Sequence, residues 1–301
     1  MQDRANGLGS GSEVDALDAR ERFGSGPRLN PLAQANGLVR DVLAAVRNLE
    51  NLLRSPLVGP RALAPVIPDL RELCGPLQES VNEIHSYVKA TTTTATIGAV
   101  QALSEQIRAT CDRLHLALER ASASAMDAKA RLAFEAEIQD VGADLNSVRH
   151  LMTLLAHAID SPQTEVELDV REVIREVFET ASRRDPRQSR QVPVVVSVSG
   201  ESFGLRACAQ VVMPLIGIGI AVVHRSVQGP LALDAISTPG HPPFIVISGR
   251  PPGQGDGRAF EVPPLTAPSV VCAETAARLI GASFEVRPDR VTVVLPARPG
   301  A

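Results

Sequence analysis

The stretch DLNSVRHLMTLLAHAIDSPQTEVELDVREVIREVF, residues 144–178, decides the fold because its hydrophobic periodicity changes at Pro162. Before the proline, apolar residues recur every three or four positions, which is typical of an amphipathic helix. After it, EVELDV alternates apolar and polar residues as a strand does, and helical spacing then returns with Asp169 as the expected N-cap. The sequence therefore predicts a helical region followed by a domain of mixed strands and helices.

Two heptad seams run through the helical region, which indicates long helices that pack side by side. The first consists of Leu32, Ala35, Val39, Val42, Val46, Leu49 and Leu53, and the second of Ile138, Val141, Leu145, Val148, Met152, Leu155 and Ile159. Between them, two further amphipathic segments lie within residues 57–137, and Thr91 to Thr94 is expected to separate them.

A narrow seam leaves apolar surface that one hairpin cannot cover, whereas two hairpins side by side form a four-helix bundle. We therefore expect a homodimer. The expected interface consists of Val39, Val42, Val46, Leu49, Leu145, Val148, Met152 and Leu155. The alternative is an intrachain bundle of all four helical segments.

The second half alternates short strands with helices. Strands are predicted at 165–170, 192–199, 231–236, 243–248, 282–287 and 290–296, and helices through Val173 and Val177, at about 205–223 and at 269–279. This order predicts a mixed sheet with its helices on one face. The glycines of GIGIAVV, residues 217–223, are expected to allow close packing of a helix against that sheet.

Composition excludes several classes of function. The net charge is −4, and no basic stripe is interleaved with aromatic residues, so nucleic acid is not an expected partner. Residues 1–25 lack the apolar core of a secretory signal and are expected to be a disordered lead, and the apolar run 211–223 is too short to span a membrane. The four cysteines form no CxxC pair and no metal-ligand spacing. We therefore expect a cytoplasmic protein without a metal.

The element order of residues 162–298 resembles the ATP-binding domain of the histidine kinase, Hsp90 and gyrase superfamily. RLNPLAQANGLVRDVL, residues 28–43, resembles the phosphoacceptor box HEINNPLAYVLANL of histidine kinases, and residues 144–178 resemble the second hairpin helix and its junction with the ATPase domain. The resemblance implies an α+β fold. A long-helix hairpin or four-helix-bundle region at 26–161, with inserted helices at about 57–137, would precede a histidine-kinase-like α/β sandwich at 162–298.

Several positions depart from the motifs of that family. The phosphoacceptor histidine aligns with Gly26, which cannot carry a phosphoryl group. The two asparagines of the N box align with Pro214 and Ile218, and the aspartate that binds adenine aligns with Gly249. The glycine-rich phosphate segment aligns with APSV, residues 267–270. The resemblance therefore implies a degenerate site, with no catalytic residue, no nucleotide and no other cofactor.

Three functions remain open. The first is a non-catalytic adaptor, a pseudo-histidine kinase that binds a response regulator or another histidine kinase. The second is a histidine phosphotransferase, for which His85 on the second helical segment is the candidate phosphoacceptor, with a surface histidine of no special role as the simpler interpretation. The third is an active histidine kinase with unusual motifs, which the missing asparagines and aspartate disfavour.

Overall fold

The structure is a computed structural model of the chain. It describes residues 31–55, 66–91, 94–123, 128–160, 166–184, 194–199, 204–226, 231–238, 241–249, 267–287 and 289–296. The predicted lead at 1–25, the phosphoacceptor position Gly26 and the loop at 250–266 lie outside these residues. In the described helices, no segment is both long and apolar enough to cross a bilayer.

The helical region is a bundle of four helices. These are α1 (Pro31–Arg54), α2 (Val66–Thr91), α3 (Thr94–Ala123) and α4 (Ala128–Asp160). Each helix packs against two others, in the ring α1–α2–α3–α4 that closes with α4 on α1. The predicted break between the second and third segments is confirmed, because α2 ends at Thr91 and α3 begins at Thr94.

Polar contacts between helices fix their register. The Arg108 Nη2 on α3 donates a hydrogen bond to the Asn82 Oδ1 on α2 at 2.7 Å, and the Asn36 Nδ2 on α1 donates to the Thr153 Oγ1 on α4 at 3.2 Å. Ion pairs of Arg113 with Asp144 and of Arg120 with Glu137 join α3 to α4.

The two heptad seams are buried within this single chain. All eight residues expected at a dimer interface are at most 1% exposed: Val39, Val42, Val46, Leu49, Leu145, Val148, Met152 and Leu155. The helices α2 and α3, which the sequence interpretation treated as an insertion, cover the seams within the chain. This burial agrees with the intrachain alternative, and a homodimer through these residues stays a prediction.

The α/β region begins with the strand β1 (Val166–Asp169), followed by α5 (Val170–Arg184). The later elements are β2 (Val194–Ser199), β3 (Gly204–Ala207), α6 (Ala209–Ser226), β4 (Leu231–Ile236), β5 (Phe244–Gly249), α7 (Pro268–Leu279), β6 (Ser283–Arg287) and β7 (Arg290–Val294). The Asp169 Oδ1 accepts a hydrogen bond from the Arg171 N–H at 2.8 Å. This contact confirms Asp169 as the N-cap of α5.

Two sheets are present among the described strands. A five-stranded sheet has the order β2-β4-β5-β7-β6, in which β2 and β4 are parallel and the other pairs are antiparallel. A small sheet pairs β1 with β3 antiparallel. The strand β3 corrects the prediction that a helix begins near residue 205, since α6 begins only at Ala209.

One face of the large sheet is covered by helices. Side chains that point to this face are buried in β4, β5 and β7: Leu231, Leu233, Ala235, Ile245, Ile247, Val291 and Val293. The helix α6 packs on all three of these strands, and α7 packs on β6. The predicted mixed sheet with helices on one face is therefore confirmed in the described part of the chain.

The helix α7 joins the two halves of the molecule. It packs against α6 and β6 on one side and against α3 and α4 of the bundle on the other. Its sequence PSVVCAETAARL is rich in small residues, which let neighbouring helices approach closely, and Val270, Cys272, Ala273, Thr275, Ala276 and Ala277 are buried. The bundle and the sandwich are therefore packed together through a shared helix.

Candidate nucleotide site

The helix α6 lies where the resemblance places the family's N box. Residues on its core side are almost completely buried, and Met213, Ile218 and Ile220 pack partly buried against the same core. The core residues are Val211, Val212, Leu215, Ile216, Val222 and Val223. From Val211 to Val223, no side chain of this helix offers an oxygen to a cation or a phosphate.

Gly219 brings α6 into direct contact with the sheet. A Cβ atom at this position would lie 2.5 Å from the Ile247 Cδ1 and 3.2 Å from the Val291 Cγ1. Nothing lies within 4 Å of the corresponding position at Gly217. Of the two glycines expected to allow close packing, Gly219 therefore does so and Gly217 does not.

The two N-box positions carry no metal ligand. Pro214 lies inside α6 and is half-buried, and Ile218 is the partly buried residue next to Gly219. Magnesium binds oxygen ligands and keeps several waters in its coordination shell. A proline ring and an isoleucine side chain provide neither oxygen atoms nor a polar surface for those waters, so these residues do not fit a magnesium–ATP complex.

Gly249, the last residue of β5, is the residue that the resemblance aligns with the adenine-binding aspartate. Side chains alternate along a strand, so position 249 faces the same side as the buried Ile247, which is the helix-covered side. An aspartate there would point its carboxylate beneath the helices, but glycine has no side chain. The Gly249 N–H donates a hydrogen bond to the Asp289 carbonyl oxygen at 3.1 Å, so this backbone group is already used within the sandwich.

The segment aligned with the phosphate loop is the start of a helix. Ala267 immediately precedes α7, and its carbonyl oxygen accepts hydrogen bonds from the Val270 and Val271 N–H groups at 2.9 and 3.1 Å. Pro268 occupies the first turn, where its missing N–H is tolerated. The structure thus gives this segment regular helical backbone in place of a glycine-rich loop.

Cys272 lies on the bundle side of α7. Its Sγ is 3.9 Å from the Ala99 carbonyl oxygen of α3, and the side chain is fully buried. Burial raises the pKa of the Cys272 thiol to about 12. The thiol is therefore neutral and unreactive at physiological pH, and it serves the packing of the two halves.

Two grooves in the described part of the chain lie away from these positions. One, of about 460 Å³, is lined by residues of α7 and β6 that include Glu274, Arg278 and Phe284. The other, of about 420 Å³, lies where α1 ends and α4 begins, beside Arg54 and Arg131. Neither groove is lined by Pro214, Ile218 or Gly249. Among the described side chains, no group of three or more His, Cys, Asp or Glu could hold a metal ion.

His85 lies on α2, one of the two helices treated as an insertion. Its side chain lies outside those that the structure describes, so its role as a phosphoacceptor stays a prediction. The preceding residue, Ile84, is buried in the bundle, and the following residue, Ser86, is exposed and donates a hydrogen bond to the Asn82 carbonyl oxygen.

No protein-family model matches the chain, and no curated protein matches it. Among solved structures, it is similar to the histidine kinase AdeS of Acinetobacter baumannii, with 12% identity, 64% of this chain and 95% of that chain covered, and a TM-score of 0.43. A mycobacterial sensor histidine kinase, MprB, is 15% identical over 45% of this chain and 99% of its own, with a TM-score of 0.34. A histidine kinase from Burkholderia phymatum is 9% identical over 65% of this chain and 94% of its own, with a TM-score of 0.34.

The order of elements matches the one that the sequence predicted, apart from the additional strand β3: helices that carry heptad seams are followed by a sandwich of three helices and a mixed sheet. The sequence had already indicated this order and the positions Pro214, Ile218 and Gly249. It also indicated that glycines of α6 pack against the sheet, but it did not identify Ile247 as the neighbour of Gly219, and it did not indicate the packing of α7 on the bundle. The run of small residues in α7 was the only signal of that packing.

Proposed function

We propose that this chain is a non-catalytic signalling adaptor of a two-component-type pathway, which binds a histidine kinase or a response regulator. The observation that supports this proposal most strongly is the contact between α6 and the sheet at Gly219. The helix that would carry the metal-binding asparagines packs directly against Ile247 and Val291. Its side chains at 214 and 218 are a proline and an isoleucine.

The packing of α6 on the sheet bears on function because a polar ligand could not replace these contacts without a large free-energy cost. An aliphatic, close-packed contact is stabilised by burial, and inserting a polar group there without a hydrogen-bond partner costs several kcal/mol, roughly 2–7. A triphosphate is far more polar than a single hydroxyl or amide, so it cannot replace these contacts without oxygen ligands or cations to offset the loss of hydration. The proposed role is therefore binding rather than phosphoryl transfer.

The position of α7 supports a binding role as well. Residues on both sides of this helix are buried, against the sandwich and against α3 and α4. A catalytic sandwich must bring its nucleotide in line with a phosphoacceptor, and that alignment needs the reacting atoms within about 3.5 Å of each other. We infer that the packed halves instead present a fixed surface to a partner.

The phosphotransferase function remains the competing proposal. It requires a histidine that accepts phosphate, and the family position is Gly26. His85 is the alternative candidate, but no contact of its side chain is described. We therefore rank the adaptor first and test both functions in one experiment.

The experiment uses purified histidine kinases and response regulators encoded near this chain's reading frame. Each is incubated with radiolabelled ATP, with and without an excess of the full-length protein, and binding is measured separately by biolayer interferometry. The adaptor proposal predicts micromolar binding to one partner, a changed rate of that partner's phosphorylation, and no label on this chain. Acid-labile label on this chain, or no binding to any member of the set, would overturn it.

A further inference from the structure

The strand β6 has a free edge in the described part of the chain. It pairs with β7 on one side, and no described strand pairs with its other side. A groove of about 460 Å³ runs beside it, lined by residues of β6 and by Glu274 and Arg278 of α7, and none of the lining residues belongs to the bundle. The unpaired backbone groups of an edge strand can bind another strand. The groove thus leaves room for a further strand beside β6.

The hairpin of β6 and β7 indicates which backbone groups point to the free edge. Arg287 and Arg290 flank its two-residue loop and lie opposite each other in the sheet. The pair that closes such a hairpin is hydrogen-bonded within it, and bonding alternates along antiparallel strands. Arg287 and Glu285 therefore bond towards β7, whereas the N–H and C=O groups of Phe284 and Val286 point outward.

Two charged side chains flank Val286 on the face of the sheet that the helices leave open. Glu285 and Arg287 are exposed, and neither forms an ion pair with another described residue. Arg287 lies directly opposite Arg290 of β7, and like charges at such positions repel each other. A carboxylate on the outer side of Arg287 would offset this repulsion. The edge therefore favours a strand with an acidic residue opposite Arg287 and a basic residue opposite Glu285.

The strand β6 itself meets this requirement. We propose that two copies of the chain associate edge to edge through β6, antiparallel and about a two-fold axis at Val286. In this register, Glu285 of each copy faces Arg287 of the other, and the two Val286 residues exchange N–H···O=C hydrogen bonds. The two five-stranded sheets then join into one continuous sheet.

The neighbouring registers give a poorer match of charges. An axis at Glu285 places two carboxylates opposite each other, and an axis at Arg287 does the same with two guanidinium groups. An axis at Phe284 pairs Glu285 with Ser283 and leaves Arg287 without an acidic neighbour. A pairing this short buries little surface, so the dimer should be weak and should weaken further at high salt. The interface lies on the sandwich, apart from the heptad seams, and does not depend on the proposed adaptor function.

Charge reversal tests the pairing. Sedimentation velocity of the full-length wild-type protein, from about 10 to about 500 μM, should show a reversible monomer–dimer equilibrium. Glu285→Arg and Arg287→Glu each replace two attractive pairs with two repulsive ones, so each should weaken the dimer at least about tenfold. The double variant should recover it. An equimolar mixture of the two single variants should form a heterodimer, since the arginines of one copy meet the glutamates of the other.

Two outcomes of this experiment would overturn the proposal. A wild-type protein that stays monomeric over the whole range would show that Glu285 and Arg287 only shield the edge from other strands. A dimer that neither single variant weakens would show that the copies associate through another surface, such as the heptad seams. Both residues are exposed, so the variants should fold, and circular dichroism checks this.

Cysteine crosslinking tests the register independently. In the proposed pairing, the two Cα atoms at position 286 are about 5.5 Å apart, within the range for a disulfide. Val286→Cys should therefore form a covalent dimer on mild oxidation. The matched control Ser283→Cys should not, because the axis separates the two copies of that position by about 20 Å. The native cysteines are buried, and the wild type controls for them. Equal crosslinking of the two variants, or none in Val286→Cys, would contradict the register.

Discussion

The contact between α6 and the sheet makes a quantitative prediction about two glycines on the same helix. Gly219→Ala places a methyl group 2.5 Å from the Ile247 Cδ1 and 3.2 Å from the Val291 Cγ1, whereas Gly217→Ala places it in open space. Both substitutions replace a glycine inside α6, which favours the helix by roughly 1 kcal/mol. Gly217→Ala is therefore the matched control, and the difference between the two variants isolates the packing effect.

The size of the packing effect at position 219 depends on the side chains that surround the added methyl group. Adding a methyl group to a packed core costs about 1–3 kcal/mol. The Ile247 δ-methyl is the end of a side chain and can rotate, but Ile247 and Val291 are fully buried, and Val291 is β-branched and stiff. We therefore expect Gly217→Ala to be about 1 kcal/mol more stable than wild type. We expect Gly219→Ala to be about 1–3 kcal/mol less stable than Gly217→Ala.

The assay is urea unfolding followed by circular dichroism, with the midpoint and the slope m fitted for each variant. A second substitution, Ile247→Val, removes the δ-methyl that lies nearest the new Cβ. Alone it should cost about 0.5–1.5 kcal/mol. Combined with Gly219→Ala it should cost less than the sum of the single effects, with a coupling free energy of about 1 kcal/mol.

Equal stability of Gly219→Ala and Gly217→Ala, with no coupling to Ile247→Val, would refute this reasoning. It would mean that α6 does not rest on β5 and β7 in solution, and that the packing argument against a bound nucleotide fails. A slope m that changes in Gly219→Ala alone would instead indicate loss of two-state unfolding, and the coupling free energy would then be taken from thermal unfolding.

Three further predictions follow from the bundle. Val148→Ala combined with Met152→Ala should destabilise the protein by several kcal/mol, about 2–5 for the methionine alone, and so lower the urea midpoint. The midpoint should not depend on protein concentration, whereas a concentration-dependent midpoint would show that the seam lies between two molecules. Burial raises the pKa of the Glu50 carboxyl, with Arg54 and Arg47 opposing it. The folded state thus binds this proton more tightly than the unfolded state, so the free energy of unfolding falls as pH rises from the ordinary glutamate pKa to the raised value. Glu50→Gln should remove that fall, and its stability at pH 7 should match or exceed that of wild type. An unchanged pH dependence in Glu50→Gln would contradict this prediction. Incubation with a phosphorylated receiver domain should leave no acid-labile label on the chain, and label that disappears in His85→Ala would favour the phosphotransferase function.

Local patterns predicted most of the elements because each depends on neighbouring residues. The alternation in residues 231–236 gave β4, and Asp169 before a helical pattern gave the start of α5. The strand β3 escaped prediction, because Gly204–Ala207 has only four residues and is followed almost directly by the helical pattern of α6. Its pairing with β1 is a tertiary event that the local sequence does not encode.

The heptad seams are buried as predicted, but the sequence did not show that α2 and α3 of the same chain cover them. A seam such as that of Val39 to Leu49 has the same sequence pattern whether its cover comes from a second copy or from the same chain. The deciding fact is that α2 and α3 fold back onto α1 and α4.

The candidate site was predicted through individual positions rather than through its packing. Pro214, Ile218 and Gly249 stood out because they replace residue types that the related motifs require. The sequence did not show how the replaced positions are packed, because that packing depends on the tertiary structure. Aliphatic side chains of α6 pack into the core, and the Gly249 N–H is bonded to Asp289.

The most direct test of the central claim, that the sandwich does not bind nucleotide, is a calorimetric titration of the full-length protein with ATP and magnesium. We predict no saturable heat at ATP concentrations up to about 1 mM, which corresponds to a binding free energy weaker than about −4.1 kcal/mol. A dissociation constant of about 100 μM or tighter, roughly −5.5 kcal/mol, would contradict the claim.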